Sequence, residues 1–294
     1  MRVANKTIYD MIKFNLSSTT EELNKANEVV ATGKRITDLS DDPVGLTQVL
    51  NIKSSLSNIE QMGCNIAIGK SWLTASESAL TNVQNMISDT KALCVQMATA
   101  TMSAAGREAA AKTVQNTLEE MVSLANTDVN GRYVFAGSKT NATAFTLAGS
   151  SVTYNGDNTA FTIKIGRDAT IQVGSDGEAV FQSPGNDIFT TLKDLKSALE
   201  GDDVDGIQAA IGELGSCLDH ISAKISDVGS KMNRMEIKGN ILQDMNITNT
   251  ERLSKIEDAD ITEAIMDLKV KEVAYQAALA ASAKMLRVSL VDYL

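Results

Sequence analysis

Between Val204 and Met235 an apolar residue falls every third or fourth position without a miss. The run is Val204, Ile207, Ile211, Leu214, Leu218, Ile221, Ile225, Val228, Met232 and Met235. A seven-residue apolar repeat specifies a helix that buries a narrow stripe against another helix and supercoils with it. Gly239 weakens the run and Leu242 resumes it. At a rise of about 1.5 Å per residue, a stretch of this length spans roughly 50–60 Å. A second run places one apolar residue in seven at Ile52, Ile59, Ile66, Leu73, Leu80, Ile87 and Cys94. Its companion positions begin with Val49 and Leu56 and decay to Gly63, Lys70, Glu77 and Gln84, so that seam is narrow and partly polar.

Both ends repeat the theme. Ile8, Ile12, Leu16, Thr19, Leu23, Ala26 and Val30 are spaced three or four apart, as are Ile261, Ile265, Leu268, Glu272, Tyr275, Leu279, Ser282 and Leu286. Seams of this kind are only marginally helical alone in water and need a partner. Asp42 is the expected N-cap of the long helix, with Pro43 at its first position, where the missing N–H costs nothing. A break is expected at Ser103-Ala-Ala-Gly106, before a second helical stretch through Val114, Leu118, Met121 and Ala125.

From Gly131 to Pro184 the chain turns to glycine, threonine and turn dipeptides. Arg132–Ala136 has strand composition, Asn155-Gly156 is a hairpin-turn signal, and Phe161, Ile163 and Ile165 alternate with polar residues. Ile171 and Val173 repeat the alternation, and Val180-Phe181 is expected to close the sheet. A helix through Ile188, Leu192, Leu195 and Leu199 follows Pro184.

The expected fold is mainly α: a long, antiparallel, coiled-coil-like helical rod with a small β-rich insertion and paired terminal helices. Residues 1–42 and 258–294 form the terminal pair, 43–130 the first half of the shaft, 131–184 the β-rich part, and 185–257 the return half.

The chemistry that such a chain can carry is limited. Of its 294 residues 37 are acidic and 27 basic, a net charge of −10, which argues against nucleic acid as a partner. A single histidine, His220, excludes histidine-rich metal sites and His-Glu-x-x-His proteases, and it is expected at a surface or rim. The three cysteines, Cys64, Cys94 and Cys217, form no CxxC pair, and Cys94 reads as a small buried apolar residue on a seam. Gly201-Asp-Asp-Val-Asp-Gly206 lacks the first and last ligands of a calcium loop, so Asp203 is expected as a helix cap. Gly137-Ser-Lys-Thr140 is misspaced for a phosphate loop, and no Gly-x-Ser-x-Gly elbow exists. Trp72 is expected to flank the seam or an interface, and the methionines at 232, 235 and 245 to fill gaps between helices. No catalytic residue, cofactor or metal is expected. No stretch approaches a membrane span, and Met1–Asp10 shows no signal-peptide core, which by itself points to the cytoplasm.

The segment Ala31-Thr-Gly-Lys-Arg-Ile-Thr-Asp-Leu-Ser-Asp-Asp-Pro-Val-Gly-Leu46 resembles the N-terminal signature of the bacterial flagellin family. Glu272-Val-Ala-Tyr-Gln-Ala-Ala-Leu279 and Ser289-Leu-Val-Asp-Tyr-Leu294 resemble its C-terminal signature. Asn130-Gly-Arg-Tyr-Val-Phe-Ala-Gly-Ser-Lys-Thr140 is similar to members that join the flagellar hook to the filament. The resemblance spans about residues 1–140 and 205–294 and implies a structural subunit exported unfolded by the flagellar type III apparatus, without a cleaved signal, to the cell exterior. It also implies terminal helices that order on assembly. The implied partners are hook-associated protein 1, flagellin, further copies in a ring, and an export chaperone that holds the C-terminal region. The residues expected at the assembly interface are Ile8, Ile12, Leu16, Leu23, Ile261, Ile265, Leu268, Tyr275, Leu279 and Leu286. A filament flagellin and a secreted helical adhesin or effector are the alternatives.

Overall fold

The computed structural model describes residues 2–159 and 161–291, with side chains for all of these except 2–5, 8 and 286–291. Four long helices dominate: α1 (Arg2–Thr32), α2 (Pro43–Met97), and two more late in the chain. Between them come α3 (Ala104–Ala125), the strands β1 (Asp128–Val129), β2 (Arg132–Tyr133), β3 (Phe145–Ala148), β4 (Ser151–Tyr154), β5 (Thr162–Lys164) and β6 (Thr170–Gln172), and the short helix α4 (Gly177–Phe181). Then follow β7 (Gln182–Ser183), β8 (Asn186–Asp187), α5 (Ile188–Glu200), α6 (Val204–Glu257) and α7 (Ile261–Val291). The chain divides into two compact units, Met1–Asn58 with Met245–Leu294, and Ile59–Asp244; α2 and α6 contribute to both.

In the 59–244 unit the heptads act as seams. Ile59, Ile66, Leu73, Leu80, Ile87 and Cys94 of α2 are buried, as are Ile207, Leu214, Ile221, Val228, Met235 and Leu242 of α6. The alternate α6 positions, Ile211, Leu218, Ile225 and Met232, are half-buried against the same core. The helices run antiparallel: Gln84 on α2 donates to Ser222 on α6 at 2.8 Å, and Gly69 lies against the Met235 side chain. Burial pushes the Cys94 thiol up to about 11 and the Cys217 thiol upward too, so both are protonated packing residues at neutral pH. Trp72 is buried with its ring 5.4 Å from that of Phe161, and among the described residues its indole N–H has no partner.

Helix ends follow the expected chemistry. Asp42 accepts from Gly45 N–H (2.8 Å), Ser103 from Gly106 N–H (3.2 Å), Asp187 from Thr190 N–H (3.0 Å) and Asp203 from Gly206 N–H (3.1 Å). Two of the three carboxylates of the 201–206 segment are thus engaged: Asp203 caps α6, and Asp202, at φ +54°, pairs with Arg107. Arg107 is itself buried and donates to the carbonyls of Met97 (3.0 Å) and Thr99 (3.1 Å), tying the α2–α3 corner to the α5–α6 corner. Arg107→Ala removes these charge-assisted bonds and is expected to cost about 2–4 kcal/mol. Chemical denaturation followed by Trp72 fluorescence measures it.

The β-rich part departs from its expected layout. It is four separate antiparallel ladders, β1–β2, β3–β4, β5–β6 and β7–β8, not one sheet. Val180 and Phe181 do not close a sheet. They lie in α4, which Asp176 caps by accepting from Glu178 N–H at 2.9 Å. Only Arg132 and Tyr133 of the 132–136 segment are strand, because Val134, Phe135 and Ala136 turn inward and are fully buried. Asn155-Gly156 is not a hairpin turn: β3 and β4 are joined at Gly149 (φ +67°) and Ser150. A Cβ on Gly156 would stand 2.3 Å from the Tyr154 hydroxyl, so that glycine serves a close approach. The hydroxyl lies 2.9 Å from the Asp157 carbonyl and 3.2 Å from the Phe135 carbonyl, accepts from Gly177 N–H at 3.3 Å, and is pushed to higher pKa by burial.

Four of the six phenylalanines gather here. Phe145 meets Phe181, Phe189 and Tyr154 at centroid distances of 5.6, 5.3 and 5.1 Å, and Phe135 meets Phe181 at 5.0 Å. The Gly137–Thr140 turn is held by Asp157, whose carboxylate accepts from Ser138 N–H (2.7 Å) and Oγ (2.5 Å); those bonds hold its pKa below the usual carboxylate range.

Candidate assembly interface

Several residues of the signature segment 31–46 have a physical role in the unit formed by the chain ends. Gly33, at φ +69°, ends α1 in the left-handed conformation that a side chain resists. The next residues form a short two-way ladder with the α6–α7 turn. Arg35 N–H donates to the Glu257 carbonyl (2.7 Å), and Ala259 N–H donates to the Gly33 carbonyl (2.9 Å). The Arg35 guanidinium caps α6 at the Ile256 carbonyl (3.0 Å). Ile36 is buried, and Asp41 closes the loop by accepting from the N–H groups of Thr37 and Asp38 (both 3.2 Å) while pairing with Lys25 of α1. Lys25, followed by those backbone donors, pulls the Asp41 carboxyl down to about 2. Gly45 is buried where a Cβ would meet Asp42 and the Ile36 side chain, both at under 3 Å.

From this crossing α1 and α7 run antiparallel against each other. Gly33 lies beside Ile261, and Glu22 pairs with Lys271 at 2.6 Å. On α1 the expected stripe faces the partner: Ile12, Leu16, Thr19, Leu23 and Val30 are half-buried and Ala26 is buried. On α7 the half-buried stripe is Ala264, Leu268, Lys271, Glu272, Tyr275, Ala278 and Ser282. Leu268 and Tyr275 are therefore brought to the α1 face. Ile265 and Leu279 are not, and stand 45% and 40% exposed, while Ile261, 44% exposed, lies beside Gly33 at the end of α1. Ile8 and Leu286 lie outside the residues whose side chains are described.

Beyond the α1 contact α7 carries a second set of exposed apolar residues. Met266, Val270, Val273 and Met285 are more than half exposed, and α1 adds Tyr9, Met11 and Phe14. Spacing alone gives no way to divide one broad apolar face between an internal and an external partner, so the sequence merged the two stripes. The small residues Ala264, Ala278 and Ser282 carried the missing signal, since alanine and serine at seam positions let two helices approach closely. Among the described residues no group of His, Cys, Asp and Glu gathers to hold a metal, and no helix is long and apolar enough to cross a membrane.

Residues 3–140 match the bacterial flagellin N-terminal helical region, and residues 211–294 match the bacterial flagellin C-terminal helical region. A solved structure of FlgL from Bacillus cereus is 30% identical, covering 69% of this chain and 99% of that one, with a TM-score of 0.61. The chain belongs to the bacterial flagellin family. A flagellin-family relative over nearly its whole length is the flagellar hook-associated protein 3 of Salmonella typhimurium, 25% identical across 94% of each chain. The structure of a putative flagellar hook-associated protein from Vibrio parahaemolyticus shares the fold, with a TM-score of 0.68 over 74% of this chain and all of that one, at 16% identity. These flagellin-family relatives are structural parts of the flagellum, and this chain is a flagellar component of the same kind.

Proposed function

We propose that this chain is a structural subunit of the junction between flagellar hook and filament, working by polymerisation and not by catalysis. The observation that carries this reading is the exposed apolar stripe of α7 beside the α1 seam, in a chain alike in length and order to hook-associated protein 3. A helix that presents valine, isoleucine and methionine to solvent over several turns calls for neighbouring helices. Here the neighbours are copies of the same chain in a ring, hook-associated protein 1 on the hook side and flagellin on the filament side. Ile8, Ile12, Leu16, Leu23, Ile261, Ile265, Leu268, Tyr275, Leu279 and Leu286 are the residues that carry the assembly. The same surface explains a need for an export chaperone on the C-terminal region, since an uncovered α7 would aggregate before secretion. Export through the flagellar apparatus, without a cleaved signal, delivers the chain outside the cell.

Stoichiometry and position in intact flagella test the proposal. In sheared flagella the chain is expected as a minor band, with immunogold label confined to the base of the filament beside the hook. A dominant band with label along the filament would make it a filament subunit. Absence from flagella would favour the secreted adhesin or effector.

A further inference from the structure

The α6–α7 turn holds a group that helix pairing does not require. Glu257, the last residue of α6, is only 5% exposed, and its Oε1 lies 2.8 Å from Lys34 Nζ and 2.7 Å from Lys53 Nζ. Lys34 comes from the loop after α1 and Lys53 from α2, so one carboxylate joins three segments that are distant in sequence. Its main chain is engaged as well, through the bond from Arg35 N–H. A carboxylate at a helix C-terminus is in the wrong place for the helix dipole, and burial adds a further cost, so it persists there only because two cations answer it.

We infer that Glu257 is a charge clamp, a positioning residue that fixes the loop after α1 onto the end of α6 and thereby sets where the α1–α7 pair leaves the long helices. The other charges around it are accounted for. Asp258 faces Lys34 from the turn and bonds Ser254, Arg35 is directed at the Ile256 carbonyl, and Lys25 of α1 is paired with Asp41. Burial pushes the Glu257 carboxyl up, but Lys34 and Lys53 together pull it further down, leaving it below the ordinary glutamate value. A group lowered in the folded chain stabilises it above the unfolded pKa, and that contribution is lost as pH falls through the folded value. The clamp is therefore closed at neutral pH and opens in acid. This inference holds for any flagellar role of the chain, because it concerns its own three segments.

Hydroxyl-radical footprinting of Ile36, a buried residue of the clamped loop, reads the clamp from neutral pH to below the carboxylate range. Wild type and Glu257→Gln are compared as free full-length chain and within isolated flagella. The glutamine keeps size and shape and removes only the charge. At pH 7.5 Ile36 oxidation is expected to be about tenfold faster in the variant, in at least one of the two states. The difference should close as pH falls, because protonated Glu257 then resembles glutamine. Equal oxidation at pH 7.5 in both states overturns the clamp, and so does a difference that persists unchanged in acid. Finding the chain absent from flagella would count against the junction proposal but leave the free-chain comparison decisive for the clamp.

Discussion

Leu279→Asp is expected to leave the chain folded and to abolish its incorporation into flagella. Leu279 is 40% exposed on α7, so a carboxylate there stays hydrated in the free chain. Once a neighbouring subunit covers that face, the same carboxylate is desolvated without a partner. That costs at least about 3 kcal/mol per site, a hundredfold or more in each association step. In the proposed ring, repetition multiplies the effect. Circular dichroism and thermal melting of the free variant should overlay wild type, while quantification in sheared flagella should show none. Normal incorporation would mean that this face of α7 is not the assembly surface. Leu268→Asp is the informative contrast: Leu268 is half-buried toward α1, so it should disturb the α1–α7 pair itself.

Phe145→Ala is expected to cost the 59–244 unit about 3–5 kcal/mol, a large share of the stability of a unit of this size. Phe145 is 1% exposed and touches three other aromatic rings, and Asn126 brackets its main chain with two bonds of 2.8 Å, to the Phe145 N–H and carbonyl. Removing the ring opens a cavity that Phe181, Phe189 and Tyr154 cannot fill, because each is held by other neighbours. The single tryptophan, Trp72, lies in the same unit and reports its unfolding by fluorescence in urea. A loss below about 1 kcal/mol would show that the cluster is not the anchor of the β-rich part.

How much was legible in the sequence varied with the range of the interactions involved. The seams of α2 and α6 were readable residue by residue, because a supercoiled helix buries the same face at every turn. Thus Ile207, Leu214 and Ile221 are buried where the repeat puts them. Caps were equally readable, since Asp42 and Asp203 act on N–H groups three residues away. The β-rich part was not. Strands of two to four residues are too short to show a period, and Val180-Phe181 became helix because Asp176 caps it and the aromatic cluster takes up Phe181.

At the assembly surface the sequence alone established that both ends are apolar helices in need of partners, and that the chain resembles flagellins. Periodicity is a local property, and it survives any arrangement in space. Which stripe of α7 meets α1 and which is left for other chains was decided only in three dimensions. Lys271 had to reach Glu22, and Ala264, Ala278 and Ser282 had to let the helices close together. Tertiary structure alone also revealed that Glu257 is buried between Lys34 and Lys53. Nothing in the neighbourhood of a glutamate near the end of a helix announces that two lysines more than two hundred residues earlier will neutralise it.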